Sequence, residues 1–137
     1  MTGMTANPAD NGTVMATLSK LLTTMPADRQ PVPGAVAALA AVAAELSAMI
    51  RHAESTAQLG AVRGSANADG DNQKKLDVLA DEMIANALAD CVGVAAYLSE
   101  ERDDAVTLHD GGGVIVASDP LDGSSNIDTN VSIGTIF

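Results

Sequence analysis

Aromatic residues are almost missing from this sequence of 137 residues, which has one Phe, one Tyr and no Trp. This argues against a protein that binds single-stranded nucleic acid by stacking bases on aromatic side chains. Any core must consist of Ala, Val, Leu, Ile and Met, which supply most of the 47% hydrophobic content. That hydrophobic content argues against disorder throughout the chain.

Basic residues are also scarce, with 7 Lys and Arg against 18 Asp and Glu, a net charge of −11 and a pI of about 4.2. Nucleic acids and anionic membranes bind clustered positive charge, so neither is expected as a partner. An acidic chain that acts on a phosphate substrate would need metal cations between its carboxylates and the phosphate.

Cys91 is the only cysteine, which excludes a disulfide framework and a cysteine-based zinc site. We interpret it as a small core residue. The N-terminus lacks the pattern of a signal peptide, and we expect no run of transmembrane length. The sequence therefore predicts a soluble cytoplasmic protein.

Residues 1–15 have no periodicity and are predicted to be a mobile tail, followed by one domain over residues 16–137. A short helical arm is predicted over Ala16–Leu22, and Met25–Gly34 is interpreted as a proline-rich break between helices. Two long helices are predicted over about Ala35–Glu54 and Asn72–Asp90, the second capped by Asp71. Their apolar stripes are Val36, Leu39, Val42, Leu46, Met49 and Ile50, and then Leu76, Leu79, Met83, Ala87 and Cys91.

Four apolar stretches after the helices are predicted to be strands: "VGVAAYLSE", "AVTLHD", "VIVAS" after a "GGG" turn, and "VSIGTIF". Helices followed by short strands indicate an α/β (α+β) fold class. Because the last strand runs up to Phe137 without a closing turn, we expect this chain to be the front part of a longer protein.

Acidic residues recur at the ends of these predicted elements. In open α/β sheets, ligands bind beyond the carboxyl ends of strands, so the acids there converge if the strands are neighbours. Clustered carboxylates raise one another's pKa values unless cations neutralise them, and hard ions such as Mg²⁺ or Mn²⁺ suit oxygen ligands. The acids concerned are Asp71 and Asp77, Glu100 and Glu101, and Asp119 and Asp122.

The segment "SDPLDGSSNID" concentrates this chemistry. Pro120 is predicted to set a turn in which Asp119, the Leu121 carbonyl and Asp122 face one point. The amides of Gly123, Ser124 and Ser125 would then open a short helix, and a helix start binds anions. The alternative is that these residues are helix caps and solvated surface acids, which is the usual role of each cluster taken singly.

The stretches "SDPLDGSSNID", "GDNQKKLDVLADEM" and "YLSEE" resemble the fructose-1,6-bisphosphatase class 1 family. This family belongs to the lithium-sensitive, metal-dependent phosphatases, which include inositol monophosphatases. The resemblance is strong over Gly70–Phe137 and loose over Thr17–Ala68. It implies a layered α/β/α/β/α sandwich, of which this chain covers most of the first half, and a homotetramer in the full-length protein.

The resemblance also implies residue roles. The metal ions, Mg²⁺ or alternatively Mn²⁺, would be held by Glu100, Asp119, the Leu121 carbonyl and Asp122, with Asp71 in support. Asp77 and Glu101 would orient and deprotonate the attacking water. The segment of Asp122, Gly123, Ser124 and Ser125 would bind the 1-phosphate.

The implied activity is hydrolysis of fructose 1,6-bisphosphate to fructose 6-phosphate and phosphate, with this chain inactive as a fragment. The family's 6-phosphate and sugar ligands, a further metal-binding glutamate and an arginine from a neighbouring subunit lie beyond Phe137. The AMP-inhibition loop that precedes the first long helix in vertebrate members is not matched by "DRQPVPGAVAA". The alternatives are a sedoheptulose-1,7-bisphosphatase, alone or as a second activity, and a non-catalytic acidic module that binds metal or subunits.

Overall fold

The computed structural model describes residues 17–29, 31–55, 66–124 and 132–137, with side chains omitted at 53–55 and 66–74. The predicted tail over residues 1–15 lies outside this part and stays a prediction, as does the domain division. A short helix, α1, covers residues 17–22, where a helical arm is predicted. The main elements are a 3-10 turn over Ala27–Arg29, helices α2 (Pro31–Ser55) and α3 (Ala66–Ala89), and strands β1 (Val94–Ser99), β2 (Val106–Thr107), β3 (Val114–Asp122) and β4 (Gly134–Ile136).

Helix α2 begins earlier than predicted, at Pro31 rather than about Ala35. Proline is tolerated in the first turn of a helix, where its missing N–H would have no intrahelical partner. The proline-rich segment is therefore partly helical and not only a break between helices. The predicted stripe is largely confirmed, since Leu39, Val42 and Leu46 are buried together with Ala35, whereas Met49 is exposed.

Helix α3 also begins earlier, at Ala66, so Asp71 lies inside the helix and the prediction of a cap there is wrong. Gly70 costs a helix only about 1 kcal/mol relative to Ala, which does not prevent its inclusion in a helix of 24 residues. The fully buried line of α3 is Ala80, Ile84 and Leu88, at steps of four. The predicted stripe is thus displaced: Leu76, Met83, Ala87 and Cys91 are half-buried residues that pack around this line.

The four described strands form one mixed sheet in the order β2-β1-β3-β4. The central pair, β1 and β3, is parallel, with Leu98 opposite Ala117 and Ser99 opposite Ser118. Strand β2 is antiparallel to β1, and β4 is antiparallel to β3. This register places the carboxyl end of β1 beside Ser118 and Asp119 of β3, which positions the site described below.

The core lies between the helices and one face of this sheet. Helix α3 packs on β1 and β3, and α2 packs on α3. Tyr97, Ile84, Leu88 and Val94 are almost completely buried there. The predicted fold class is confirmed, because the chain combines long helices with a mixed sheet.

One helix in the described part of the chain, over Pro31–His52, is long and apolar enough to cross a membrane by length and composition. The prediction that no run reaches this length is therefore wrong. The finding is weak as a membrane signal, because a core helix of a soluble protein meets the same criteria. Here the apolar line of α2 is used in the core, where Leu39 and Leu46 are buried.

Candidate active site

The parallel pairing of β1 and β3 brings together Glu100, which follows β1, and Asp119, which lies within β3. Ser99 and Ser118 are paired in the parallel register, so the residue that follows each of them emerges at the same edge of the sheet. The Glu100 N–H donates a hydrogen bond of 3.1 Å to the Ser118 carbonyl, which extends the pairing by one residue. The predicted convergence of these two acids is therefore confirmed.

The carboxyl of Glu100 has a raised pKa, above its ordinary value of 4.5. The largest cause is a hydrogen bond to Asp119, followed by repulsion from the Asp119 charge, burial, and the charges of Glu101 and Asp122. Every charged group that shifts this pKa is an acid. The edge of the sheet is thus a negatively charged site that a cation would stabilise.

The segment Asp119–Asp122 is strand and not the predicted turn at Pro120. Strand β3 continues to Asp122 because it pairs with β4, with an irregularity between the Asp119 and Asp122 pairings. Proline is accommodated at such an irregularity, where no ladder hydrogen bond from its nitrogen is needed. Pro120 is buried, and its carbonyl accepts a hydrogen bond of 2.9 Å from the Thr135 hydroxyl.

The turn instead comes at Gly123, whose φ of +80° lies in the left-handed region that glycine adopts at low cost. Ser124 follows in 3-10 conformation and is the last residue described before the gap. The Ser124 hydroxyl donates a hydrogen bond of 3.2 Å to Oδ2 of Asp77 on α3. Asp77 and Ser124, predicted for catalysis and phosphate binding, therefore meet although they are far apart in sequence.

The remaining predicted site residues lie at the surface, in the core or outside the described part of the chain. Glu101 is exposed, and its N–H donates to the Ser99 hydroxyl at 3.2 Å. Asp122 is exposed at the end of β3, and the Leu121 side chain is buried in the core. Ser125 and the side chain of Asp71 lie outside the described part, so their predicted roles stay predictions.

An open cleft of about 390 Å³ lies beside the paired acids. Glu100 and Asp119 form part of its wall, and the remaining lining is mostly apolar or small: Leu98, Ser99, Ala117, Ser118, Ile136 and Phe137. Glu100 and Asp119 therefore lie beside a space that is open to solvent and lined mainly by apolar atoms.

The donor chemistry fits a hard divalent cation only in part. Glu100 and Asp119 supply adjacent carboxylate oxygens, which Mg²⁺ and Mn²⁺ prefer. Within residues 17–29, 31–55, 66–124 and 132–137, no group of three or more His, Cys, Asp or Glu is arranged to hold a metal ion. The pair of described acids is not a metal shell by itself, and a cation bound there would need further ligands.

Three residues near the site were not singled out from the sequence. Asp81 on α3 is buried, and it accepts hydrogen bonds from the Tyr97 hydroxyl at 3.1 Å and from Arg102 Nε at 2.6 Å. A signal was available, because Tyr97 is the only tyrosine and lies in a predicted buried strand. A buried tyrosine hydroxyl usually has a hydrogen-bond partner.

Comparison with known proteins gives a consistent answer. The family model "Fructose-1-6-bisphosphatase, N-terminal domain" matches residues 19–137. The chain belongs to the fructose-1,6-bisphosphatase family. Its resemblance to class 1 members, inferred from "SDPLDGSSNID" and the two other stretches, is thereby confirmed.

Two curated fructose-1,6-bisphosphatases illustrate the similarity. The chain is 53% identical over 108 residues to "Fructose-1,6-bisphosphatase class 1 1" of Bradyrhizobium sp., covering 79% of this chain and 31% of that protein. It is 51% identical over 116 residues to "Fructose-1,6-bisphosphatase class 1" of Paracoccus denitrificans, covering 83% and 34%. The chain thus spans about a third of the length of these relatives.

Solved structures of the family share the fold. The holo form of Leishmania major fructose-1,6-bisphosphatase aligns with a TM-score of 0.67 at 29% identity, covering 87% of this chain and 35% of that one. The T-state structure of the same protein aligns with a TM-score of 0.65 at 28% identity, covering 86% and 35%. The fold of this chain is therefore that of the first part of a fructose-1,6-bisphosphatase.

Proposed function

We propose that this chain is the N-terminal part of an enzyme that hydrolyses the 1-phosphate of fructose 1,6-bisphosphate, giving fructose 6-phosphate and phosphate. The observation that carries the proposal is the position of Glu100 beside Asp119, where β1 ends next to the parallel strand β3. The contact between Asp77 and Ser124 supports it, since it joins a candidate base to the candidate phosphate-binding turn. Membership of the fructose-1,6-bisphosphatase family supplies the substrate.

The proposed cation site uses Glu100, Asp119, Asp122 and the Leu121 carbonyl, with Asp71 in support. A bound Mg²⁺ or Mn²⁺ would supply neutralisation of phosphoryl charge and activation of water. The need for a metal ion follows from the size of the barrier that the enzyme must lower. Monoester hydrolysis requires a barrier reduction of up to roughly 25 kcal/mol, whereas acid–base catalysis contributes about 10²–10⁴-fold, or roughly 3–5 kcal/mol. Electrostatic stabilisation must therefore provide most of the rest.

The chain's own residues would perform the remaining steps. The Ser124 hydroxyl and the backbone amides of Gly123–Ser125 would bind the 1-phosphate, and Asp122 would border it. Asp77 Oδ2 accepts a hydrogen bond from the Ser124 hydroxyl, so it can orient groups at this turn. Glu101, which is exposed beside Glu100, would take the proton from the attacking water together with Asp77.

The test is phosphate release from fructose 1,6-bisphosphate over a range of Mg²⁺ concentrations, using the full natural protein that contains these residues. Asp119→Ala is expected to abolish turnover, and Glu101→Gln to slow it with Mg²⁺ binding retained. Asp110→Ala, which removes an exposed acid of another turn, is the matched control and should behave like the wild type. Near-normal activity of Asp119→Ala at all Mg²⁺ concentrations would contradict the proposal.

The proposal also includes a homotetrameric assembly and a role in cytoplasmic carbohydrate metabolism, in gluconeogenesis or the Calvin cycle. Its support is the family resemblance. Sedimentation velocity of the full natural protein tests the assembly, with a species of four chains as the expected result. A monomer at all concentrations would contradict the assembly while leaving the proposed chemistry untouched.

A further inference from the structure

Asp81 is a buried acid that the proposed reaction does not use. It is 4% exposed and is the one buried charged residue in the described part of the chain. Its two carboxylate oxygens have different partners: Oδ1 accepts from the Tyr97 hydroxyl, and Oδ2 accepts from Arg102 Nε at 2.6 Å. A buried carboxylate normally requires such pairing, because an unpaired buried charge is very costly.

Both partners of Asp81 are connected to the ends of the strands that carry the acidic site. The Tyr97 hydroxyl also contacts the Ser118 hydroxyl at 2.9 Å, and Ser118 directly precedes Asp119. Arg102 directly follows Glu101, and its N–H donates to the Ser99 carbonyl at 3.2 Å. Asp81 therefore links helix α3 to both strand ends through one carboxylate.

The position of Arg102 matters because it is a cation that follows the acids Glu100 and Glu101 in the chain. Its guanidinium is bound to Asp81 at 2.6 Å, on the helix side of the sheet edge. This pair lies partly out of water, since the Asp81 side chain is 6% exposed and the Arg102 side chain 33% exposed, so solvent screens it less than a surface pair. A guanidinium released from Asp81 would find Glu100 and Asp119 as alternative carboxylate partners and would compete there with a divalent cation.

We propose that Asp81 is a positioning residue that holds Arg102 away from Glu100 and Asp119, so that these two carboxylates stay available to a divalent cation. The inference rests on the proposed metal-dependent function. It assigns to the ion pair on α3 an indirect effect on cation affinity, without contact between Asp81 and the cation.

The test measures Mn²⁺ binding by titration calorimetry in the full natural protein, with Mn²⁺ alone as the probe. Asp81→Asn keeps the side-chain volume and a hydrogen-bond acceptor for Tyr97 but releases Arg102. We expect its Mn²⁺ affinity to fall about 10–100-fold, the effect typical of residues that support metal ligands. Glu82→Gln, which removes one negative charge from the adjacent exposed position of α3, is the matched control and should bind like the wild type.

Two further variants separate this role from a merely structural one. In the double variant Asp81→Asn with Arg102→Gln, the competing guanidinium is absent, so Mn²⁺ affinity should return to near the wild-type value. Arg102→Gln alone should bind Mn²⁺ as tightly as the wild type, and it tests the inference even if Asp81→Asn does not fold. A loss of affinity in Arg102→Gln, or no recovery in the double variant, would overturn the inference.

The outcome also distinguishes the inference from the proposed function. If the wild-type protein binds no Mn²⁺, the proposed metal dependence fails and the inference fails with it. If the wild type binds Mn²⁺ and Asp81→Asn matches Glu82→Gln, only the inference fails. Wild-type binding, loss in Asp81→Asn and recovery in the double variant together support it.

Discussion

Glu100 lies beside Asp119, because β1 ends at Ser99, which is paired with Ser118 in the parallel strand β3. The neighbouring Asp119 raises the pKa of the Glu100 carboxyl, first by hydrogen bonding and then by the repulsion between two carboxylates. The contact is thus sensitive to pH, and it would be replaced if a cation bound between the two acids.

This relationship predicts a pH dependence for Glu100. Its folded pKa is raised above 4.5, so its contribution to stability is fully present below the unfolded value of 4.5 and is lost as the pH rises through the folded pKa. Asp119→Asn should bring the Glu100 pKa back towards 4.5, because the largest cause of the shift is removed. Carboxyl NMR titration measures this, with Asp110→Asn as the control that should leave Glu100 unchanged.

Tyr97 should ionise only at unusually high pH. Burial is the largest cause that raises its pKa above 10.0, and the charge of Asp81 contributes in the same direction. The stability that Tyr97 contributes is therefore present below the unfolded pKa and is lost as the pH rises through the folded one. Ultraviolet absorbance follows this titration selectively in the 137-residue chain, which has a single tyrosine. The same chain unfolded in urea is the control, and an equal midpoint in both states would contradict the prediction.

Leu88→Ala should destabilise the fold by about 2–5 kcal/mol, because it opens a cavity in a packed core. Leu88 is 0% exposed on the buried line of α3. Val92→Ala removes apolar atoms from a side chain that is 78% exposed nearby, and it should change the free energy of unfolding by less than about 0.5 kcal/mol. Urea unfolding compares the two, and similar losses in both would show that α3 does not pack as described.

Gly112→Ala should also be destabilising, by about 1–3 kcal/mol, because the added methyl group has no room beside the neighbouring strand. A Cβ at Gly112 would lie 2.5 Å from the Ala95 backbone nitrogen, and backbone in a strand cannot easily move aside. Gly113→Ala is the matched control one residue later, since a Cβ there meets no atom within 4 Å. Thermal unfolding should therefore separate the two variants, with Gly113→Ala close to the wild type. Equal effects would contradict the close approach.

The sequence predicted the elements better than their boundaries. Periodicity located α2 and α3, and apolar runs located four strands, because these patterns reflect which residues are buried. The early starts of both helices and the displaced stripe of α3 depend on the neighbouring element, which periodicity does not reveal. The turn predicted at Pro120 was wrong for the same reason: pairing with β4 keeps β3 extended to Asp122.

By itself, the sequence determined the acidic charge, the family and the identity of the candidate ligands, because these are properties of residue types and of their order along the chain. Only the tertiary structure decided which acids meet. The parallel register of β1 and β3 sets Glu100 beside Asp119, and the packing of α3 sets Asp77 at Ser124 and Asp81 at Arg102. Contacts between residues distant in sequence depend on register and packing, and no local pattern encodes them.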